Sequence, residues 1–157
     1  MMWQGAVQKT TAQNKPFCQR GTCTVQTKIR NICRSRRITG CEKPIAIRSW
    51  ATVAGRKEGR GKLAQYYDFI LEHNQFGEKS WERAEQKMQQ YALELALEKA
   101  NLTASQLDYF LGGDLLNQII ATSYTARAAN IPYFGLYGAC SSLAEGFILG
   151  SCLLDGK

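Results

Sequence analysis

Histidine is almost missing from this sequence: His73 stands alone among 157 residues. Chemistry that needs an imidazole base therefore has one candidate, and it lies in a polar stretch ahead of a helix, where a solvated surface residue is expected. Acids are almost missing from the first sixty residues. There, 13 Lys or Arg face only Glu42 and Glu58, whereas residues 61–157 hold 7 cations against 11 acids. The basic character of the whole chain thus belongs to its beginning, and any argument from charge to nucleic acid applies to that segment alone.

The first twenty residues lack the basic start and apolar run of an export signal, so an intracellular protein is expected. An uninterrupted membrane span is lacking too. Only Glu145 is charged between Ala128 and Leu154, yet Pro132 and glycines 135, 138, 146 and 150 break the stretch, which reads as buried core without a transmembrane segment. Six cysteines suit a disulfide framework only in a secreted chain, so reduced thiols are expected. Cys18, Cys23, Cys33 and Cys41 lack the paired spacing of a zinc site, and no metal is expected.

What is present divides at residue 44. Residues 1–43 show no sustained period and read as a basic, unstructured extension; a nucleic-acid arm is the competing reading, weakened by sparse aromatic interleaving. Residues 44–157 read as one folded unit. Ile45–Ile47 and Trp50–Val53 have strand composition, stopped by Gly55. The stretch from Gly55 to Gly61 is a charged surface loop; it lacks the Walker ending, since Gly61-Lys62 is followed by Leu63.

Ser80 is placed to cap a helix running to about Ala100, with Trp81, Ala84, Met88, Tyr91, Leu95 and Ala96 as its core stripe. A buried strand follows at 107–112. Gly112-Gly113-Asp114 then turns into a second helix carrying Leu115, Leu116, Ile119, Ile120 and Ala126, ended by Asn130 and Pro132. A third strand, 133–137, meets Gly138-Ala-Cys-Ser141 and a last helix through about Leu154. Alternating strands and helices predict an α/β fold of parallel βαβ units with helices covering the sheet.

In such sheets ligands collect at the carboxyl ends of strands, and here those ends carry Asp114 and Cys140 on successive turns. A cysteine in the first turn of a helix meets unpaired N–H groups that favour thiolate, which makes Cys140 a candidate nucleophile; a thiol packed as a small hydrophobe is the bland alternative. Asp114 reads as a helix cap before it reads as a ligand group. Asn117 and Gln118 are candidate donors to a ligand carboxylate, and Ser141 lies beside the thiol.

The stretches Asp108–Gln118 and Ile131–Ser141, with Thr52–Gly59 and Phe76–Trp81, closely resemble the stage V sporulation protein AD family, thiolase-like proteins of spore-forming bacteria. The resemblance covers residues 44–157. It implies the first half of a thiolase-like fold, truncated after the elbow helix, with Cys140 where relatives of that fold carry an acyl-accepting cysteine. The partners of that cysteine would lie in the second half. The implied role is binding dipicolinic acid at a pocket of Asp114, Asn117, Gln118, Cys140 and Ser141, in forespore or spore, peripheral to the inner membrane beside other stage V sporulation A proteins. A homodimer is allowed by the same likeness, and no cofactor is expected. An acyltransferase loading Cys140 from coenzyme A is the alternative, with no base for it in this chain. Arg56 departs from the family, which tends to have proline there.

Overall fold

A computed structural model describes residues 5–7, 45–114 and 119–155. Eight regular elements follow in order: β1 (Gly5–Val7), β2 (Val53–Ala54), β3 (Phe69–Ile70), α1 (Trp81–Ala100), β4 (Tyr109–Gly112), α2 (Ile120–Ala129), β5 (Tyr133–Gly135) and α3 (Ser142–Asp155). Mixed helix and parallel strand pairs make this an α/β structure. The four cysteines before residue 44, and most of the basic segment that holds them, lie outside the described residues.

The helices begin and end as their sequence dictates. Ser80, in an extended conformation, accepts the Arg83 amide and caps α1. At the other end Asn101 takes the left-handed conformation, its N–H reaching the Glu98 carbonyl while the Leu102 N–H reaches Leu97. Asn130 repeats this at the end of α2, with Asn130 bonded back to Arg127 and Ile131 to Ala126. Both are double-bonded left-handed caps. Asparagine tolerates that backbone better than most residues, and the following Ile131 folds back into the apolar core.

Strand β4 is the middle of a three-stranded sheet. It pairs in parallel with β5, Phe110 opposite Tyr133 and Leu111 opposite Phe134, and antiparallel with β1 on its other edge. The connection from β4 through α2 to β5 is the expected βαβ unit. Its core gathers Leu93 of α1, Leu107, Phe110, Ala126 and Ile131, with Phe110 fully buried.

Three expectations change. The stretch 45–52 is not a strand: Ile47 and Trp50 are about 60% exposed, and only Val53–Ala54 pairs. Its partner is β3, which pattern alone did not reveal, and the pair forms a separate two-stranded parallel sheet. Here Asp68 acts as a bracket, taking the Thr52 amide at 2.8 Å and its hydroxyl at 3.1 Å while returning its own N–H to that hydroxyl. Lys99 at the end of α1 bridges Asp68 and the Trp50 carbonyl.

The buried stripe of α1 is Ala84, Glu85, Gln89, Ala92 and Leu93, and Trp81 is 53% exposed. The helix is gripped on two sides. Tyr91 meets the rings of Phe69 and Phe76, while Gln89 faces α2, so the most buried line runs between these contacts and takes in polar residues. Finally, α2 begins at Ile120 after a left-handed Ile119; Leu115 and Leu116, expected within it, lie outside the described residues.

Candidate functional site

Because β4 and β5 are parallel, their carboxyl ends emerge side by side, at Gly112 and Gly135. The chain leaving β4 turns at Gly113-Asp114, and the chain leaving β5 passes Leu136 and Tyr137 to reach the elbow. These turns press together. A Cβ on Gly113 would stand 2.2 Å from the Leu136 carbonyl oxygen and 3.3 Å from the Ser142 hydroxyl, so glycine is required for the two strand ends to be neighbours.

The elbow is a single tight turn, Ala139–Ser141, leading straight into α3. Ala139 has φ 47°, a left-handed backbone in a non-glycine residue. Such a conformation costs about 1–3 kcal/mol and persists where the surroundings enforce it. Here it lifts Cys140 out of the strand direction and leaves the thiol exposed at the helix start. The expected place of Cys140 on an elbow thus holds.

Ser141 is committed to closing that elbow. Its hydroxyl lies 2.8 Å from the Gly138 carbonyl and 2.6 Å from Glu145 Oε1, and its one proton is shared between these acceptors. Glu145 sits in the first turn of α3, where the helix dipole favours a negative charge. It also fills the space beside Gly138, whose Cβ would fall 2.0 Å from Glu145 Oε1. The Ser141–Glu145 pair, four residues apart, was visible as a spacing but carries no meaning until the elbow is known.

Asp114 does act as a cap, at long range: its Oδ2 accepts the amide of Thr122, in the first turn of α2, at 3.1 Å. Its Oδ1 is buried and has no hydrogen-bond partner among the described residues. Close by, the Tyr133 hydroxyl donates to the Gly112 carbonyl at 3.0 Å. Burial, and then the charge of Asp114, raise the Tyr133 phenol above its ordinary pKa, so it remains a neutral donor. Tyr133 is a residue that sequence reasoning placed only as strand; nothing in the pattern marks its hydroxyl. Asn117 and Gln118 lie outside the described residues.

Chemically, the strand ends offer an accessible thiol and a half-buried carboxylate with one buried oxygen that lacks a partner among the described residues, on adjoining turns. His73 is exposed in the turn ahead of α1 and gives the elbow no base. A groove of about 630 Å³ lies between α1 and α2 along Glu82, Arg83, Lys87, Ile120 and Tyr124, none of them at the elbow. It is an open surface furrow of mixed charge. The strand ends hold the chemistry, so they are the better candidate.

Comparison with known proteins points to one family. The family model described as Stage V sporulation protein AD (SpoVAD) matches residues 35–157. Stage V sporulation protein AD of Bacillus subtilis (strain 168) is 41% identical over 115 residues, which are 73% of this chain and 34% of that protein. The chain spans about a third of the length of this curated relative.

Proposed function

The chain belongs to the stage V sporulation protein AD family, and from that premise we propose that it carries one wall of a dipicolinic acid site used in sporulation. The thiolase-like architecture implied by the resemblance is part of the same proposal. Under it, Cys140 and Ser141 at the elbow and Asp114, Asn117 and Gln118 on the facing turn line the pocket. The rest of the pocket comes from sequence that the relative has and this chain does not span. Its setting would be the spore inner membrane, beside other stage V sporulation A proteins.

One observation supports the reading above the others: the Gly113 contact, which packs the turn carrying Asp114 against the turn carrying Cys140. Dipicolinate is a flat ring with two carboxylates, and recognition would come from donors and a small-residue surface that admits the ring. The exposed turn at Ala139-Cys140, with no imidazole beside the thiol, suits such a ligand better than it suits covalent chemistry.

Calorimetric titration of the full-length Bacillus subtilis relative and of this chain with dipicolinate tests the proposal. Binding by the relative, lost when the cysteine of the matching elbow is replaced by a bulky residue, is the expected result. No binding by the relative would overturn it. Incubation with acyl-coenzyme A followed by mass spectrometry separates the acyltransferase reading, which requires a covalent adduct on Cys140.

A further inference from the structure

Between β2 and β3 the chain makes two successive tight turns, Glu58–Arg60 and Ala64–Tyr66. We propose that these paired turns dock the protein on a bilayer surface of anionic phospholipid. This inference does not rest on the dipicolinate reading.

Charge supplies the first argument. Arg56, Lys57, Arg60 and Lys62 are all exposed, and Glu58 is the single acid among them. Residues 63–155 hold 5 cations against 11 acids, so the turns are a cationic spot on an acidic body. An anionic membrane would attract the spot and repel the acidic stretch 63–155, which orients that part of the molecule with its turns toward the lipid. Glu58 turns back toward Gly55, its Oε2 3.1 Å from where a Cβ there would be, and the four cations outnumber it.

Shape supplies the second. In a three-residue-per-turn helix, residues three apart lie above one another. The first turn therefore stacks Lys57 with Arg60, and the second stacks Leu63 with Tyr66. Leu63 is 60% and Tyr66 70% exposed, an apolar pair beside a cationic pair. Leucine entering the acyl boundary with a tyrosine ring at headgroup level is a membrane-surface pattern. A nucleic acid would use the cations and the ring but gain nothing from the leucine, which has no face for a base to stack on.

Rigidity is the third. The first turn is closed by Arg60 N–H to Lys57 and Gly61 N–H to Glu58, the second by Tyr66 N–H to Leu63, with Ala64 N–H to Gly61 linking them. Gly59 lies flat on β3, where a Cβ would meet Ile70 at 2.5 Å. The side chains are thus presented from a fixed platform, with little ordering left to oppose binding.

Flotation of the full chain with vesicles of phosphatidylcholine containing one third phosphatidylglycerol tests the proposal, because aggregates sink and bound protein floats. Each cation near such a surface is worth about fivefold in affinity, so Lys57→Gln with Arg60→Gln is expected to weaken binding about 25-fold. Leu63→Ser with Tyr66→Ser is expected to weaken it about tenfold. Lys57→Arg with Arg60→Lys keeps the charge and should float as the parent does, which separates lost attraction from lost folding. The cations before residue 44 are the same in every variant. Unchanged flotation of the Gln pair would mean that those earlier cations are the anchor and would overturn the proposal. So would a Ser pair that floats fully while the Gln pair loses both vesicles and single-stranded DNA, the behaviour of a general phosphate-binding surface.

Discussion

The seam between α1 and α2 and the outer face of α3 are built on opposite terms. At the seam, Gln89, Thr122 and Thr125 are fully buried, and their polar atoms answer one another: Gln89 donates to the Thr122 hydroxyl, and Thr125 donates toward Gln89 Oε1 and the Ala121 carbonyl. On α3, Leu143, Phe147 and Ile148 stand 40–58% exposed, with Tyr137 and Phe134 exposed nearby. Polar groups are inside and apolar groups outside, the reverse of the usual rule. The seam is complete because this chain supplies both sides. The face of α3 leaves Leu143 and Ile148 about half open to solvent, which suits the proposal that the family fold extends beyond these residues.

The sharpest way to test that contrast is to remove one large side chain from each region. Phe110→Ala opens the fully buried centre of β4 and should cost about 3–5 kcal/mol, enough to leave little folded protein. Loss of the far-UV helical signal, or of amide protection in β4 and β5, is the measurement. Survival of a cooperative transition would mean that the sheet is not the centre of the structure.

The polar seam should come next. Gln89→Ala takes from the buried Thr122 hydroxyl its donor and opens a void beside Thr125, which keeps its bond to the Ala121 carbonyl, and should cost about 1–3 kcal/mol by urea unfolding. Replacing all three together, Gln89→Leu with Thr122→Val and Thr125→Val, removes the unsatisfied groups and should recover much of that loss. If the triple change were no better than the single one, packing and not hydrogen bonding would hold the seam.

That seam also shows why part of the fold was not legible in the sequence. Helix ends were readable where Ser80 and Asn130 act on their own neighbours within a few residues. The elbow was readable for the same reason: small residues between a strand and an apolar helix. The buried face of α1 was not, because Gln89 counts as polar in any periodic pattern until its partners 33 and 36 residues away are known. Strand β3 escaped for a related reason, being two residues long and defined by Thr52 and Asp68 across a loop. At the site, Cys140 and Asp114 were visible as residue types on turns. The link between them, a glycine too close to Leu136 for any side chain, belongs to tertiary contact alone.

Smaller again is the bracket that holds β2 to β3. Hydrogen bonds from Lys99 and Thr52 lower the Asp68 carboxyl below its ordinary pKa, although partial burial pulls the other way. A depressed carboxylate contributes stability above its unfolded pKa, and that contribution is lost as pH falls through the folded value. Asp68→Asn should therefore cost about 1 kcal/mol at neutral pH and should flatten the dependence of the urea midpoint on pH below about 5. An unchanged acid slope would show that Asp68 stays as solvated as its partial exposure allows.

The smallest effect on stability should come from the face that looks most apolar. Leu143→Ser with Ile148→Ser replaces two side chains that are 45% and 58% exposed, so little burial is lost, and the change should stay within about 0.5 kcal/mol. Its consequence should appear in association instead. An uncovered apolar helix drives chains together, so the parent is expected to elute as aggregate and the double variant to shift toward monomer in size-exclusion chromatography. A large loss of stability would mean that α3 buries those side chains against residues of its own chain, and the contrast with the α1–α2 seam would disappear. Unchanged aggregation with unchanged stability would move the sticky surface elsewhere, to the exposed Trp50 and Ile47 ahead of β2.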